Sequence, residues 1–557
     1  MKDTTIPIVN MTNQQDKIDT AFSKITEVLM TIYVLFCLCI FPTVTHDKYA
    51  DILVFRFALF WKSTLLLIAI FVALGIAYLV IKKVKIKEVL FFKKGFILHV
   101  WKKSSTPDKL FFLLMIEMCI STIFAPYVYE AFWGNLGRRQ GFFAWIFFYA
   151  NYLLITRFYK PKTWHIYPVL IASLCPCIWG ILNFFMIDPF GFKTNIDEFY
   201  THTFASSIGN INTYSNYTGM MLALSTTIFI VAKNKGLTAV SFIIMVVHCF
   251  AHIMSISDNT LLSVAAIYMA LPFIAWNSDE RFLRYFVAIF IFLFSDIITG
   301  DIFIRLPDTM NESGNSILIS IGLHTYVRIL TISLGIIILL LVIIKYKNNK
   351  LFSEQVYRIL RKVWTLCLVL SAVAVVSLLI IVNTKEIPTF LVPYKKILIF
   401  NDNWGTNRGL VWRLAFKYYF TDSTLVQKLF GNGPDTFYII MMDRYREELV
   451  ALGSKYDSAH NEYIEYLMTI GVFGIILYGG LLISSIKNGL KDSKIFVMSS
   501  GVAILAYAIQ ASVNIAIPIT TPIFITLLAI SSLKNKIKTK DYEEILKNEG
   551  GKTLIIP

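Results

Sequence analysis

The sequence predicts an all-α, polytopic membrane protein with about fourteen transmembrane helices and one large extracytoplasmic loop. Three observations carry this. Of the 557 residues 56% are hydrophobic. Only 16% are charged, against roughly a quarter in soluble domains. The charges also sit in short clusters between apolar runs, not along amphipathic faces. This composition excludes a soluble chain, and length sets no domain count, because a bundle in lipid grows by adding spans rather than separate cores.

Apolar runs of about 18 residues or more mark the spans. They fall near 25–44, 60–81, 109–126, 141–157, 164–187, 213–232, 237–256, 259–276, 284–300, 326–344, 363–383, 463–486, 495–513 and 516–533. A polar segment precedes the first run, which lacks a short apolar core with a small-residue cleavage site, so a true span is expected in place of a signal peptide. The expected organisation is an N-terminal membrane bundle over 1–383, an extracytoplasmic loop over 384–462, C-terminal membrane helices over 463–533 and a cytoplasmic tail over 534–557.

Loop charge sets the orientation. With the N-terminus inside, the cytoplasmic side receives Lys82, Lys83, Lys85, Lys87, Lys93, Lys94, Lys102 and Lys103, then Arg157, Lys160 and Lys162. It also receives Lys345, Lys347, Lys350, Arg358, Arg361 and Lys362, and the tail lysines 534, 536, 538 and 540. Both termini are expected in the cytoplasm, in a multi-pass plasma (inner) membrane protein. The net charge of +16 then calls for anionic membrane lipid beside these loops and no nucleic acid. The seven cysteines all fall in apolar runs, where helix packing is the expected role. Glu117, Asp296 and Arg157 read as lying at or towards span ends, and no chain of buried carboxylates or histidines is visible, which counts against a proton-coupled transporter.

The outer face is where the cations break the rule. Arg138 and Arg139 lie in one outer loop; Arg408, Arg413, Lys417, Lys428, Arg444, Arg446 and Lys455 lie in the 384–462 loop, which is far longer than a connector needs. Leu410, Leu414 and Phe416 to Phe420 give that loop a helical, membrane-skimming character, followed by the turn Gly431-Asn432-Gly433-Pro434. His460, beside Asp457 and Glu462 at the mouth of a helix, suits proton abstraction from a hydroxyl at neutral pH, or else is a helix-start residue bonded to its own turn. The pattern is not that of a histidine-pair metal site. Arg138, Arg139, Arg408 and Arg413 suit a lipid-linked diphosphate, because the guanidinium donates two hydrogen bonds at fixed geometry; ordinary headgroup contact is the alternative. Asn210 and Asn212 can cap the following helix or bind sugar hydroxyls. No phosphate-cradling glycine turn or nucleophile elbow is present, so a cytoplasmic nucleotide-sugar donor is unsupported.

Three blocks carry a resemblance. They are Asn407-Arg408-Gly409-Leu410-Val411-Trp412-Arg413, then Phe430-Gly431-Asn432-Gly433-Pro434-Asp435-Thr436-Phe437, and the run from Ser458-Ala459-His460-Asn461-Glu462-Tyr463 to Gly471-Val472-Phe473-Gly474. Together with the long outer loop, their order resembles the O-antigen ligase and polymerase superfamily of membrane glycosyltransferases. Upstream, Gly137-Arg138-Arg139-Gln140-Gly141 and Gly209-Asn210-Ile211-Asn212 resemble its early outer loop and its G-N-x-N segment. The resemblance implies a GT-C-like protein that passes a glycan from undecaprenyl diphosphate to a glycan, lipid or protein acceptor, with no cofactor and no metal. It makes His460 the base or acceptor-orienting residue and Arg408 the diphosphate ligand, with Arg138 as second contact. Arg139, Arg413, Asn210, Asn212 and Asn461 follow as further substrate contacts. Many members carry a serine-arginine pair at the outer end of a middle span; here the stretch reads Ser255-Ile256-Ser257-Asp258-Asn259-Thr260 and the arginine is missing. Polymerase and ligase stay open, and the competing class is a polysaccharide or lipid-linked oligosaccharide transporter or flippase, which would place its polar groups at the bilayer midplane.

Overall fold

The computed structural model describes residues 8–83, 96–135, 137–194, 196–306, 316–385, 387–451 and 457–533. The expected tail 534–557 and the lysines at 85, 87, 93, 94 and 455 lie outside them. Along the chain run α1 (Ile8–Leu35), α2 (Ile52–Ile81), α3 (Thr106–Ile123), α4 (Phe142–Phe158), α5 (Ile166–Phe184), a two-stranded antiparallel hairpin β1 (Phe204–Ala205) and β2 (Gly209–Asn210), then α6 (Ile211–Val231), α7 (Lys235–Ile253), α8 (Thr260–Ala270) and α9 (Asp279–Arg305). They are followed by α10 (Thr325–Asn348), α11 (Glu354–Thr384), α12 (Trp404–Lys417), α13 (Glu462–Thr469), α14 (Gly471–Lys491), α15 (Ile495–Gln510) and α16 (Thr521–Ser531). The protein is all-α apart from the hairpin, and among the described residues nine helices are long and apolar enough to cross a membrane. Each of the fourteen expected runs overlies a helix. Three of those helices are shorter apolar ones, α3 carries Asp108, Lys109 and Glu117, and α6 is rich in Asn, Ser and Thr.

Helix α6 is the axis of the bundle. Every residue from Thr213 to Val231 is buried, as expected of a helix with neighbours on all sides, and α7 and α15 pack along its length. At the rim α10 leans on α9, whereas α11 faces outward along most of its length and is held by its ends. Near its start the Tyr357 hydroxyl donates to Asp279 Oδ1 at 2.5 Å, Arg361 donates to the Trp276 carbonyl, and Trp364 Nε1 to the Met269 carbonyl at 3.0 Å.

Three expectations need correction. The span expected over 463–486 is two helices, because Gly471 takes φ +65° and breaks the run between α13 and α14. Histidines do form a buried chain: His248 and His252 are one turn apart on α7, so both face α6. His248 is bonded to Ser173 and Ser225 at 2.9 Å each, and His252 to Thr218 and Ser263 at 2.8 Å each, which ties four helices together. Glu117 and Asp296 are likewise buried inside α3 and α9. Finally, Cys175 and Cys367 lie exposed on helix surfaces, and all seven cysteines are free thiols.

The long loop has its own core. Leu410, Val411 and Leu414 of α12 pack with Phe437, Met441, Ile464 and Met468, while Phe416, Phe420 and Leu425 stay exposed as an apolar edge. The loop docks where the end of α13 meets the Gly431–Gly433 turn. The Asn432 N–H donates to the Met468 and Thr469 carbonyls at 3.2 and 3.1 Å, and the Gly433 N–H to the Thr469 carbonyl at 2.8 Å. A Cβ on Gly471 would lie 2.4 Å from the Leu429 carbonyl oxygen.

Gly471→Ala is therefore expected to lose about 1–3 kcal/mol, read as a lowered unfolding midpoint in nanodiscs; an unchanged midpoint contradicts the docking role. For topology, in a cysteine-free background an impermeant thiol reagent on intact cells is expected to label Thr421→Cys and not Asn348→Cys. The reverse pattern inverts the orientation.

Candidate functional site

Three segments distant in sequence converge: 134–141, the start of α12, and 457–465. Several of their residues hold the left-handed backbone that side chains disfavour, namely Arg139 (φ +57°), Thr406 (+56°), Asn407 (+67°) and His460 (+48°), as does the nearby Asp435 (+62°). Such strain persists only where surrounding contacts enforce it, and it concentrates at working sites.

His460 is fixed from several directions. Trp412 Nε1 donates to the neighbouring Ala459 carbonyl at 2.7 Å. The His460 N–H donates to Ser458 Oγ at 3.2 Å, and its Nδ1 lies 3.1 Å from that hydroxyl and 3.4 Å from the Ser458 carbonyl. The tautomer with its proton on Nδ1 donates to that carbonyl, which can only accept, and carries its lone pair on Nε2. Burial pushes the imidazole down to about 4, helped by the charges of Arg408 and Arg138 and opposed by Asp457. It is neutral at pH 7 and able to accept a proton. Of the two readings of this residue from sequence, the contacts to Ser458 display the one in which it is bonded to its own turn.

Arg138 is almost wholly buried, 2% exposed, and Nη2 donates to Asp457 Oδ1 at 2.8 Å. Its Nε and Nη1 are buried with no hydrogen-bond partner. Burial works against the guanidinium, but Glu465, Asp457 and Asp435 outweigh it and raise the pKa. Burial works against ionised Asp457 as well, yet Arg138 holds that carboxyl below its usual range. Asp435 positions the arginine loop by accepting from the Asn135 and Gln140 N–H groups at 2.7 and 2.9 Å, and burial raises it to about 7. A small cavity lies beside it, with Gln140, Asp435, Glu462 and Glu465 as the polar part of a largely apolar lining that includes Met118 and Trp145. Both side-chain polar atoms of Gln140 and one carboxylate oxygen of Glu465 are buried there without partners.

Arg408 Nη1 donates to the Val513 carbonyl at 3.1 Å, and its charge reaches His460. The next residue, Asn514, donates from Nδ2 to the Asn212 carbonyl at 2.9 Å. Asn212 also accepts on its side chain from Ser257 Oγ (2.7 Å) and Asn259 Nδ2 (3.2 Å). The G-N-x-N segment is thus brought to the arginine's neighbour. It also joins the stretch that lacks the superfamily's second cation, where the β-branched Ile256 sits at φ +57°.

The other candidates have different duties. Asn210 caps α6, accepting from the Asn212 N–H at 2.9 Å. Asn461 caps α13 through the Tyr463 and Ile464 N–H groups at 3.0 and 3.1 Å, a role usually worth about 1 kcal/mol. Arg413 makes a bidentate pair with Asp402, 2.8 Å on each nitrogen, at an exposed position, and takes no part in the cluster. Arg139 is partly buried, with Nε unpartnered and no ion pair to the cluster. Sequence reasoning passed over Asp435, Glu465 and Gln140. Asp435 and Glu465 stood inside the quoted blocks, but only the fold shows that they surround Arg138.

Glu462 is buried and receives the hydroxyls of Tyr478 and Tyr507, anchoring α13 to α14 and α15. These contacts hold His460, two residues before Glu462, at the start of α13.

The depressed imidazole predicts a chemical signature. Carbethoxylation of neutral histidine, followed at the His460 peptide by mass spectrometry, is expected to persist to about pH 5 and to fall near 4. In Arg138→Gln the midpoint is expected to move up toward 6.5, because one of the opposing charges is gone. A native midpoint already at 6.5 contradicts the assignment.

A protein-family model described as O-antigen ligase matches residues 314–479. No curated protein matches the chain. The matched segment contains α10, α11, the outer loop with Arg408 and His460, and the first part of α14; Arg138 and Asn212 are supplied from outside it. Residues 314–479 therefore match the O-antigen ligase family, which supports the O-antigen ligase and polymerase superfamily and, broadly, glycan transfer of that type.

Proposed function

We propose that the protein transfers a glycan from undecaprenyl diphosphate to an acceptor hydroxyl on the outer face of the membrane, with both chain termini in the cytoplasm. The observation that carries this reading is Arg138: a buried guanidinium with two unpartnered nitrogens, in the same charge cluster as a neutral histidine. Ordinary headgroup contact does not require burial, and a purely structural arginine would have its donors satisfied.

In this reading His460 Nε2 takes the acceptor's proton as its oxygen attacks the anomeric carbon. The bond from that carbon to the diphosphate oxygen breaks, and the electron pair leaves with the diphosphate. Arg138 and Arg408 stabilise the charge that collects there, at a site held in place before the reaction begins. Donor binding also helps the base. The two arginines that depress His460 are the ones a diphosphate neutralises, so the imidazole becomes more basic once the donor is seated. Asn212 and the 511–514 segment brace Arg408, and arginines in place of a divalent ion account for charge stabilisation without metal. A second reading, transport of the lipid-linked glycan, draws support from the buried His248 and His252, although their hydroxyl partners on three other helices fit a structural staple equally.

The test uses liposomes and separate donors. The protein is expected to consume an undecaprenyl-diphosphate-linked oligosaccharide, release undecaprenyl diphosphate, keep working in excess EDTA and turn over no nucleotide sugar. His460→Ala is expected to lose about 10²–10⁴-fold in rate while still binding donor. Transfer from a nucleotide sugar alone, or near-normal product from the variant, overturns the reading.

A further inference from the structure

A second built site lies at the opposite end of the bundle. Helix α6 begins beside the Arg408 region, through Asn212 and Asn514, and runs 21 residues. At 1.5 Å per residue that is about 31 Å, close to the roughly 30 Å hydrocarbon thickness. Its far end therefore reaches the other membrane boundary. There an open cavity of about 270 Å³ separates the end of α6 from the start of α9, several times the roughly 30 Å³ that one water takes.

Its wall is divided. Ile230 and Val231 form an apolar side, and Lys233, Arg281 and Arg284 form a basic one, with Glu280 as the acid. Arg284 is committed: its Nη1 donates to the Phe229 and Ala232 carbonyls at 3.1 and 2.6 Å, and its Nη2 to Glu280. That contact closes the carbonyl end of α6 and neutralises the acid. Lys233 and Arg281 make no hydrogen bond or ion pair among the described residues. The α10–α11 turn packs at the same end, where the Leu351 N–H donates to Asp279 Oδ2 at 2.9 Å, and it brings Lys345, Lys347 and Lys350 nearby in sequence.

We propose that this cavity binds the phosphate headgroup of an anionic phospholipid. Lys233 lines the cavity from its exposed rim and Arg281 from a half-buried position, where burial and the neighbouring Arg284 charge work against the Arg281 guanidinium and only Glu280 supports it, so an added anion is favoured there. Arginine supplies a planar fork for phosphate oxygens and lysine a point charge. The apolar wall at the bilayer boundary accepts the first carbons of the acyl chains, which a soluble anion would leave uncovered, and basic recesses between membrane helices are known to take such headgroups.

The experiment reads lipid retention by native mass spectrometry on the full chain purified from mixed phosphatidylglycerol and phosphatidylcholine. The native protein is expected to retain phosphatidylglycerol selectively. The Lys233→Ala/Arg281→Ala double variant is expected to weaken that retention about thirtyfold. A control pair at the same end, Lys347→Ala/Lys350→Ala, is expected to keep it. Equal retention in both double variants and the native protein overturns the proposal, and so does full displacement by millimolar inorganic phosphate, which would make the site one for a soluble anion. On the unaltered protein, photoactivatable phosphatidylglycerol is expected to crosslink within 230–233 or 277–284. Crosslinks confined to other segments overturn the proposal independently of how the variants fold.

Discussion

The outer site depends on a place where two stretches of main chain touch with no side chains between them. Helix α13 ends against the Gly431–Gly433 turn, and its last carbonyls, which a helix end leaves unpaired, are taken up by the N–H groups of Asn432 and Gly433. Ser121 of α3 joins the same knot, donating to the Thr469 carbonyl at 2.9 Å and accepting the Gly433 N–H at 3.1 Å. Close to lipid, an unpaired carbonyl has no water to turn to. The glycines are obligatory because a Cβ at Gly431 would stand 2.2 Å from the Thr469 oxygen. Once the turn is seated, Asp435 follows it by two residues and reaches into the 134–141 loop, so the same contact that ends a helix also locates Arg138.

The membrane architecture was legible because it is written locally. A lipid-spanning helix needs a continuous apolar run, and each such run in this chain overlies a helix. The helix break at Gly471 was not legible, because its cause lies about forty residues upstream in the Gly431 turn. The buried histidines were missed for a related reason. His248 and His252 sit alone in an apolar stretch, and their partners Ser173, Ser225, Thr218 and Ser263 come from three other helices.

At the site, residue type was readable and pairing was not. An arginine opposing the charge rule of an outer loop stands out in the sequence, but the partnership of Arg138 with Asp457 joins residues 319 apart. No spacing argument could have supplied it. The asparagines show the opposite case. Asn210 and Asn461 stand directly before helices and cap them, which is what their position alone suggests. Asn212 goes further, since it couples the 257–259 stretch to the segment that braces Arg408.

Helix α11 is pinned at one end by Asp279, Trp276 and Met269 and at the other by Asn383, which donates to the Leu398 carbonyl and accepts from the Phe400 N–H, each at 2.8 Å. Between these pins its flank belongs to the lipid. Helices in a bilayer are not driven together by apolar exclusion, so the mid-section of α11 keeps its place through the lateral support of acyl chains. Only a short stretch of chain separates it from Arg408. The bilayer is in this sense a structural component of α11, a support that a helix packed on all sides, as α6 is, does not need.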